Sequence, residues 1–138
     1  MKNDKDRLYA LSVEFREAIL KSNKNMLPVT LHNFPNGACG DASLLLGDYL
    51  YSIGYSQVAY VSGWRNNQSH AWIEIDDVII DITADQFSEK KDAVIVTTDK
   101  SWHNQFIEEA RESARINSHD KGIERELKRA LAEITRWL

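Results

Sequence analysis

SHAWIEIDDVIIDIT, residues 69–83, carries the clearest architectural signal in the chain. SHAWIEI (69–75) alternates in polarity and is rich in β-formers, Asp76-Asp77 is a turn signal, and VIIDIT (78–83) reads as a second strand. A two-residue turn pairs Ile75 with Val78, Trp72 with Asp81 and His70 with Thr83. Successive side chains on a strand point to opposite faces, so His70, Trp72, Asp81 and Thr83 share one face. Asp81 becomes the diagonal neighbour of His70, ~7 Å away along the backbone and within side-chain reach. A shift of one residue in either position would separate the pair.

Outward from this hairpin, QVAYVSGW (57–64) and AVIVTT (93–98) are further strand candidates. Upstream, FPNGACGDASLLLGDYL (34–50) sets the only cysteine, Cys39, after a Pro-Asn-Gly turn and at the mouth of a helix. Ala42, Leu45, Leu46, Tyr49, Leu50 and Ile53 form its apolar stripe, Asp41 is placed to cap it, and Gly54 suits the position after its end. Leu8, Leu11, Phe15, Ala18 and Ile19 predict a helix over 5–22, and residues 22–37 read as an irregular connector. Ser101 opens an expected helix to about 117, with a break at 117–120. A final helix over 120–138 carries Ile123, Leu127, Ala130, Leu131, Ile134, Trp137 and Leu138 on one side. The expectation is a single α+β domain over 1–138. A helix bearing Cys39 packs on a three- to four-stranded antiparallel sheet, the core spans about 34–98, and helices flank it at 5–22 and 101–138.

The 138 residues suit one domain able to bury a core without staples. A net charge of −4, with acids and bases intermixed, argues against nucleic-acid or membrane-surface binding. A single thiol permits no internal disulfide. The N-terminal MKNDKDRLYALSVEFREAIL has no signal-peptide h-region, and the reducing cytosol is the expected compartment.

Cys39, His70 and Asp81 belong together chemically. A free thiol has a pKa of about 8.5, and it becomes a strong nucleophile when a histidine takes its proton and a helix N-terminus favours the thiolate. A carboxylate on the next strand fixes the histidine tautomer and supports the imidazolium. Each residue alone has a plainer reading: a buried apolar thiol, a structural histidine. An aspartate in an apolar strand is harder to dismiss, since burying it without a partner costs several kcal/mol.

NGACGDASLLLGDYL, SHAWIEI and VIIDIT together resemble the transglutaminase-like branch of the papain-like superfamily, which includes arylamine N-acetyltransferases and bacterial cysteine peptidases. The resemblance covers about residues 34–87. It implies Cys39 as nucleophile, His70 as base and Asp81 as its orienter, in an enzyme that cleaves or transfers at an amide, thioester or isopeptide bond. A peptidase or deamidase is the first expectation, without cofactor and with a protein or peptide substrate. The oxyanion glutamine that papain-type enzymes carry upstream of the cysteine has no counterpart here. Asn33, Asn36 or, from a loop folding back, Gln86 are the candidates to replace it. Trp64 and Trp72 are expected to pack on the sheet or to wall the acyl site. His32, His103 and His119 lie at no ligand spacing, so no metal site is expected. The C-terminal helix packs on the domain or meets an oligomer or partner. Two alternatives share the scaffold: a non-catalytic binding module, or an effector or toxin that modifies a target protein.

Overall fold

The computed structural model describes residues 2–117 and 120–138; Ser118 and His119, part of the expected break, lie outside the described residues. Helix α1 (Lys2–Lys21) is followed by a connector with two short 3-10 turns, Lys24–Met26 and Val29–Leu31. Helix α2 (Cys39–Ser52) leads into β1 (Val58–Arg65), β2 (Gln68–Ile75) and β3 (Val78–Asp81). A 3-10 turn at Ala84–Gln86, β4 (Ile95–Thr97), another turn at His103–Gln105, β5 (Ile107–Ser113) and α3 (Lys121–Thr135) complete the described elements. The strands form one antiparallel sheet in the order β4-β3-β2-β1-β5.

The hairpin register is the expected one, with Ile75 opposite Val78 and Ile73 opposite Ile80. Asp76 turns the chain at φ 54°, and Asn66 and Asn67 turn the β1–β2 hairpin at 51° and 65°. Short polar side chains tolerate that left-handed region better than most. Gly54 follows α2 at φ 117°, as a helix terminator should.

Both sheet faces are covered, which is why β2 is buried almost without alternation. Ile73, Ile75, Ile80 and Val58 face the three helices and join Leu8, Phe15, Ile19, Leu45, Leu46, Leu50, Leu127 and Ile134 in the main core. On the opposite face Val61, Trp72 and Ile79 meet Phe87 and Phe106 in a smaller apolar cluster, with Trp102 packed against it. Phe15 of α1 stacks on Tyr49 of α2, ring centroids 5.4 Å apart.

Several expectations change. The helix expected from Ser101 to 117 is a 3-10 turn followed by β5, so the sheet has five strands and extends beyond residue 98. Residues 107–113 are strong helix formers in isolation, but pairing to β1 overrides propensity. Gly63 permits that pairing: a Cβ built there would lie 2.6 Å from the Ile107 carbonyl oxygen. The second strand of the decisive hairpin ends at Asp81 rather than Thr83. Asp41 does not cap α2. Ala38 holds the cap position, while Asp41 sits in the first turn and accepts a hydrogen bond from the Thr30 hydroxyl. Leu127, Ala130 and Ile134 of α3 are buried as expected, but Ile123, Trp137 and Leu138 are exposed. Asp120 caps α3 by accepting from the backbone amides of Gly122 and Ile123.

Candidate active site

Cys39 is the first residue of α2, where unpaired amides and aligned peptide dipoles create a positive field. Ser43, one turn on, donates its hydroxyl to the Ala71 carbonyl at 3.3 Å and ties the start of α2 to β2. The helix lies on the Ile73 face of the sheet, whereas His70 has the parity of Trp72 and lies on the other. The two meet because β3 leaves the sheet at Asp81. Among the described residues no strand pairs with β2 at His70 and Ala71 on the side away from β1. The His70 ring, the Ala71 backbone and the Gln86 side chain all act on the thiol in favour of its ionised form.

The other contacts of His70 are well defined. Its Nε2–H donates to Asp81 Oδ2 at 2.7 Å, with both side chains buried. On its far side the Gln86 amide nitrogen lies 3.2 Å from Nδ1. Asp81 Oδ1 accepts the Thr83 backbone amide at 3.0 Å, so the residue that ends β3 is anchored by the turn that follows. A second histidine completes the cluster. His103 Nε2–H donates to the same Asp81 Oδ2, also at 2.7 Å, and is buried.

Aromatic rings keep water from this carboxylate. Phe87 meets His70 edge-on at 5.0 Å, and Trp72, Phe106 and Trp102 stand 5.6–5.7 Å from it. Arg65 closes the outer side, its guanidinium 4.8 Å from the Phe106 ring and paired to Glu89 at 2.7 Å. Trp72 spends its indole N–H on buried Glu74 at 3.0 Å.

The electrostatics follow from these contacts. Burial opposes the charge on His70, but the adjacent Asp81 carboxylate more than offsets it, raising the imidazole to about 9. Burial likewise opposes ionisation of Asp81, and the two histidine donors reverse this, holding its carboxyl far below the usual range. Burial pushes the Cys39 thiol up, yet the hydrogen bond and charge of His70, with help from Ala71 and Gln86, leave it below its ordinary value. The arrangement therefore favours a thiolate–imidazolium pair backed by a buried carboxylate.

Of the residues singled out in the sequence, Cys39, His70, Asp81 and Gln86 are brought together. Asn33 and Asn36 lie exposed on the turns before α2, and neither side chain makes a hydrogen bond among the described residues. Trp72 joins the aromatic wall. Trp64 points away from it, 44% exposed, and donates to Glu109 at 2.8 Å. His103 was expected to stand apart and does not. Its chain segment reads as a helix, and only the turn at His103–Gln105 carries it under the sheet.

His70, Asp81 and His103 also have ligand atoms within 4.8 Å of one another, close enough to ask whether they hold a metal. Both Nε2 atoms aim at one carboxylate oxygen at hydrogen-bond length, whereas a metal would sit between the ligand atoms at about 2.0–2.2 Å from each. The set fits proton-mediated contacts better than metal coordination.

No family model matches the chain, and no curated protein or solved structure matches it. No helix among the described residues is long and apolar enough to cross a membrane.

Proposed function

We propose that the chain is a cysteine-dependent hydrolase or acyltransferase with a papain-like, transglutaminase-like core, acting on an amide, thioester or isopeptide bond in a protein or peptide. Peptidase or deamidase chemistry is the first choice. The observation that carries this reading is the buried Asp81–His70 hydrogen bond beside a thiol whose ionisation His70 favours at a helix N-terminus.

In this scheme the Cys39 thiolate attacks the carbonyl carbon, a C–S bond forms and the carbonyl π pair moves to oxygen. The backbone amide of Cys39, at the start of α2, and the Gln86 side-chain amide are the donors assigned to that oxyanion. The intermediate collapses, the C–N or C–S bond to the leaving group breaks, and the leaving group takes the proton from His70. Water or an acceptor amine, deprotonated by His70, then attacks the thioester and returns Cys39. Asp81 keeps the Nε2–H of His70 pointed at itself, which leaves Nδ1 as the nitrogen to exchange the proton with the sulfur.

Alkylation by iodoacetamide across pH tests the proposal. The wild-type thiol is expected to react well below pH 8.5, the ordinary thiol value. His70→Ala should push that reactivity to high pH, because burial remains while the stabilising cation is gone. Cys39→Ala should abolish labelling and turnover and leave the fold intact. A wild-type thiol that reacts only above pH 8.5 sinks the reading.

A further inference from the structure

The cluster contains a group that the proposed chemistry does not use. His103 is 2% exposed and sits in an apolar niche, its ring centroid 4.7 Å from both Trp72 and Trp102. Its Nε2 bonds Asp81, while its Nδ1 is buried without a partner among the described residues. An unsatisfied buried polar atom destabilises the fold. A phenylalanine ring would fill the same niche without that cost, as Phe87 and Phe106 do beside it. The compensation lies at the other ring nitrogen. A carboxylate accepts and cannot donate, so the proton of this contact is on His103 Nε2. Asp81 therefore holds three donors: His70 and His103 on Oδ2, and the Thr83 amide on Oδ1.

We infer that His103 is a positioning residue that pins the Asp81 carboxylate in the plane and at the oxygen that His70 needs. The Thr83 amide fixes one oxygen, but rotation about the carboxylate axis is stopped only when the second oxygen is also held from outside the His70 bond. His103 does this from the turn at 103–105, a segment remote from both hairpin strands. The Asp81 bond then stays short and directed whether or not His70 carries its second proton. Charged and titratable groups about the cluster include Cys39 from α2, His70 and Glu74 from β2, and Asp81 from β3. Arg65, Glu89 and Lys90 lie outside the aromatic wall, and Lys100 and Arg111 pair with Glu74.

The significance of this role rests on the cysteine-hydrolase reading, but the test does not. Nitrogen-15 NMR of the histidine-labelled wild-type chain should show His103 as the Nε2–H tautomer. A His103 protonated only at Nδ1 cannot donate to Asp81 and overturns the inference, with no variant needed. His103→Phe keeps the ring and removes the donor. The His70 titration should then fall by about one pH unit, a tenfold change in proton affinity. His103→Gln, whose amide can reach the same oxygen, should restore most of the wild-type midpoint. The opposite behaviour also overturns it. If His103 merely competes with His70 for the carboxylate, the Phe variant raises the His70 midpoint or leaves it unmoved. A purely structural role makes Gln no better than Phe. These readouts hold even if the Cys39 thiol proves inert, so the two proposals fail separately.

Discussion

At the scale of single residues, parity and chemistry in the sequence found most of the site. His70 and Asp81 stand eleven positions apart around a two-residue turn, which places them on one face and makes them diagonal neighbours, and the observed bond is 2.7 Å. Cys39 was legible from its place behind a turn and before an apolar stripe. Gln86 was reachable only as a guess about a loop, and His103 was missed, since both arrive on segments without periodic signal. The Asp81–His70 pair also makes a stability prediction. His70 is raised from 6.5 to about 9 in the folded chain, so its contribution is fully present below about pH 6.5 and is lost as pH rises through about 9. Asp81 is lowered, so its contribution is present above about pH 4 and is lost as pH falls toward its folded value. Thermal unfolding should show a plateau between these limits. Asp81→Asn should lower that plateau by roughly 2–4 kcal/mol and flatten its alkaline edge. An alkaline edge unchanged in the variant would contradict the pairing. Any turnover should survive in Asp81→Asn at a much reduced rate, because nucleophile and base both remain.

At the scale of elements, α1, α2, α3 and the hairpin were legible because their apolar periods are long and regular, whereas the helix expected over 101–117 is a turn and a strand. The strand β5 was not legible. Its sequence, IEEARES, has only one large apolar residue, Ile107, and that side chain is 79% exposed. Its burial comes at its margins, from Phe106 before it and Ala114 and Ile116 after it. Nothing in the local pattern reveals a strand held by main-chain bonds to β1. The permissive partner is Gly63, at the register irregularity between Ser62 and Gly63. Gly63→Ala should therefore cost about 1–3 kcal/mol by urea unfolding and speed amide exchange along 107–113. Unchanged exchange there would show that the close approach is not what holds β5.

At the scale of the whole molecule, one side chain joins the N-terminal helix to the site. Arg16 of α1 donates to the carbonyls of Ile82 at 2.6 Å and Ala93 at 3.0 Å, and pairs with both oxygens of Asp85 at 2.9–3.0 Å. It thereby clamps the two ends of the loop that carries Gln86 and Phe87 to the sheet. Replacing it with leucine should cost roughly 2–3 kcal/mol, the scale of hydrogen bonds to a charged group. Iodoacetamide labelling of Cys39 should slow, although Arg16 touches neither sulfur nor imidazole. Full labelling in a destabilised Arg16→Leu chain would mean that Gln86 is held by other means. The sequence conveyed the order of helices and hairpin but not this clamp, because a single arginine on an otherwise ordinary helix carries no signal of its partner 66 or more positions away. β5 lines the border of the sheet with Glu108, Glu109, Arg111 and Glu112, and a second copy laid parallel and in register against it would set each carboxylate on its own twin. Like-charge contact of that kind disfavours edge-to-edge pairing of copies in that register, and the same charges hide the strand from sequence reading.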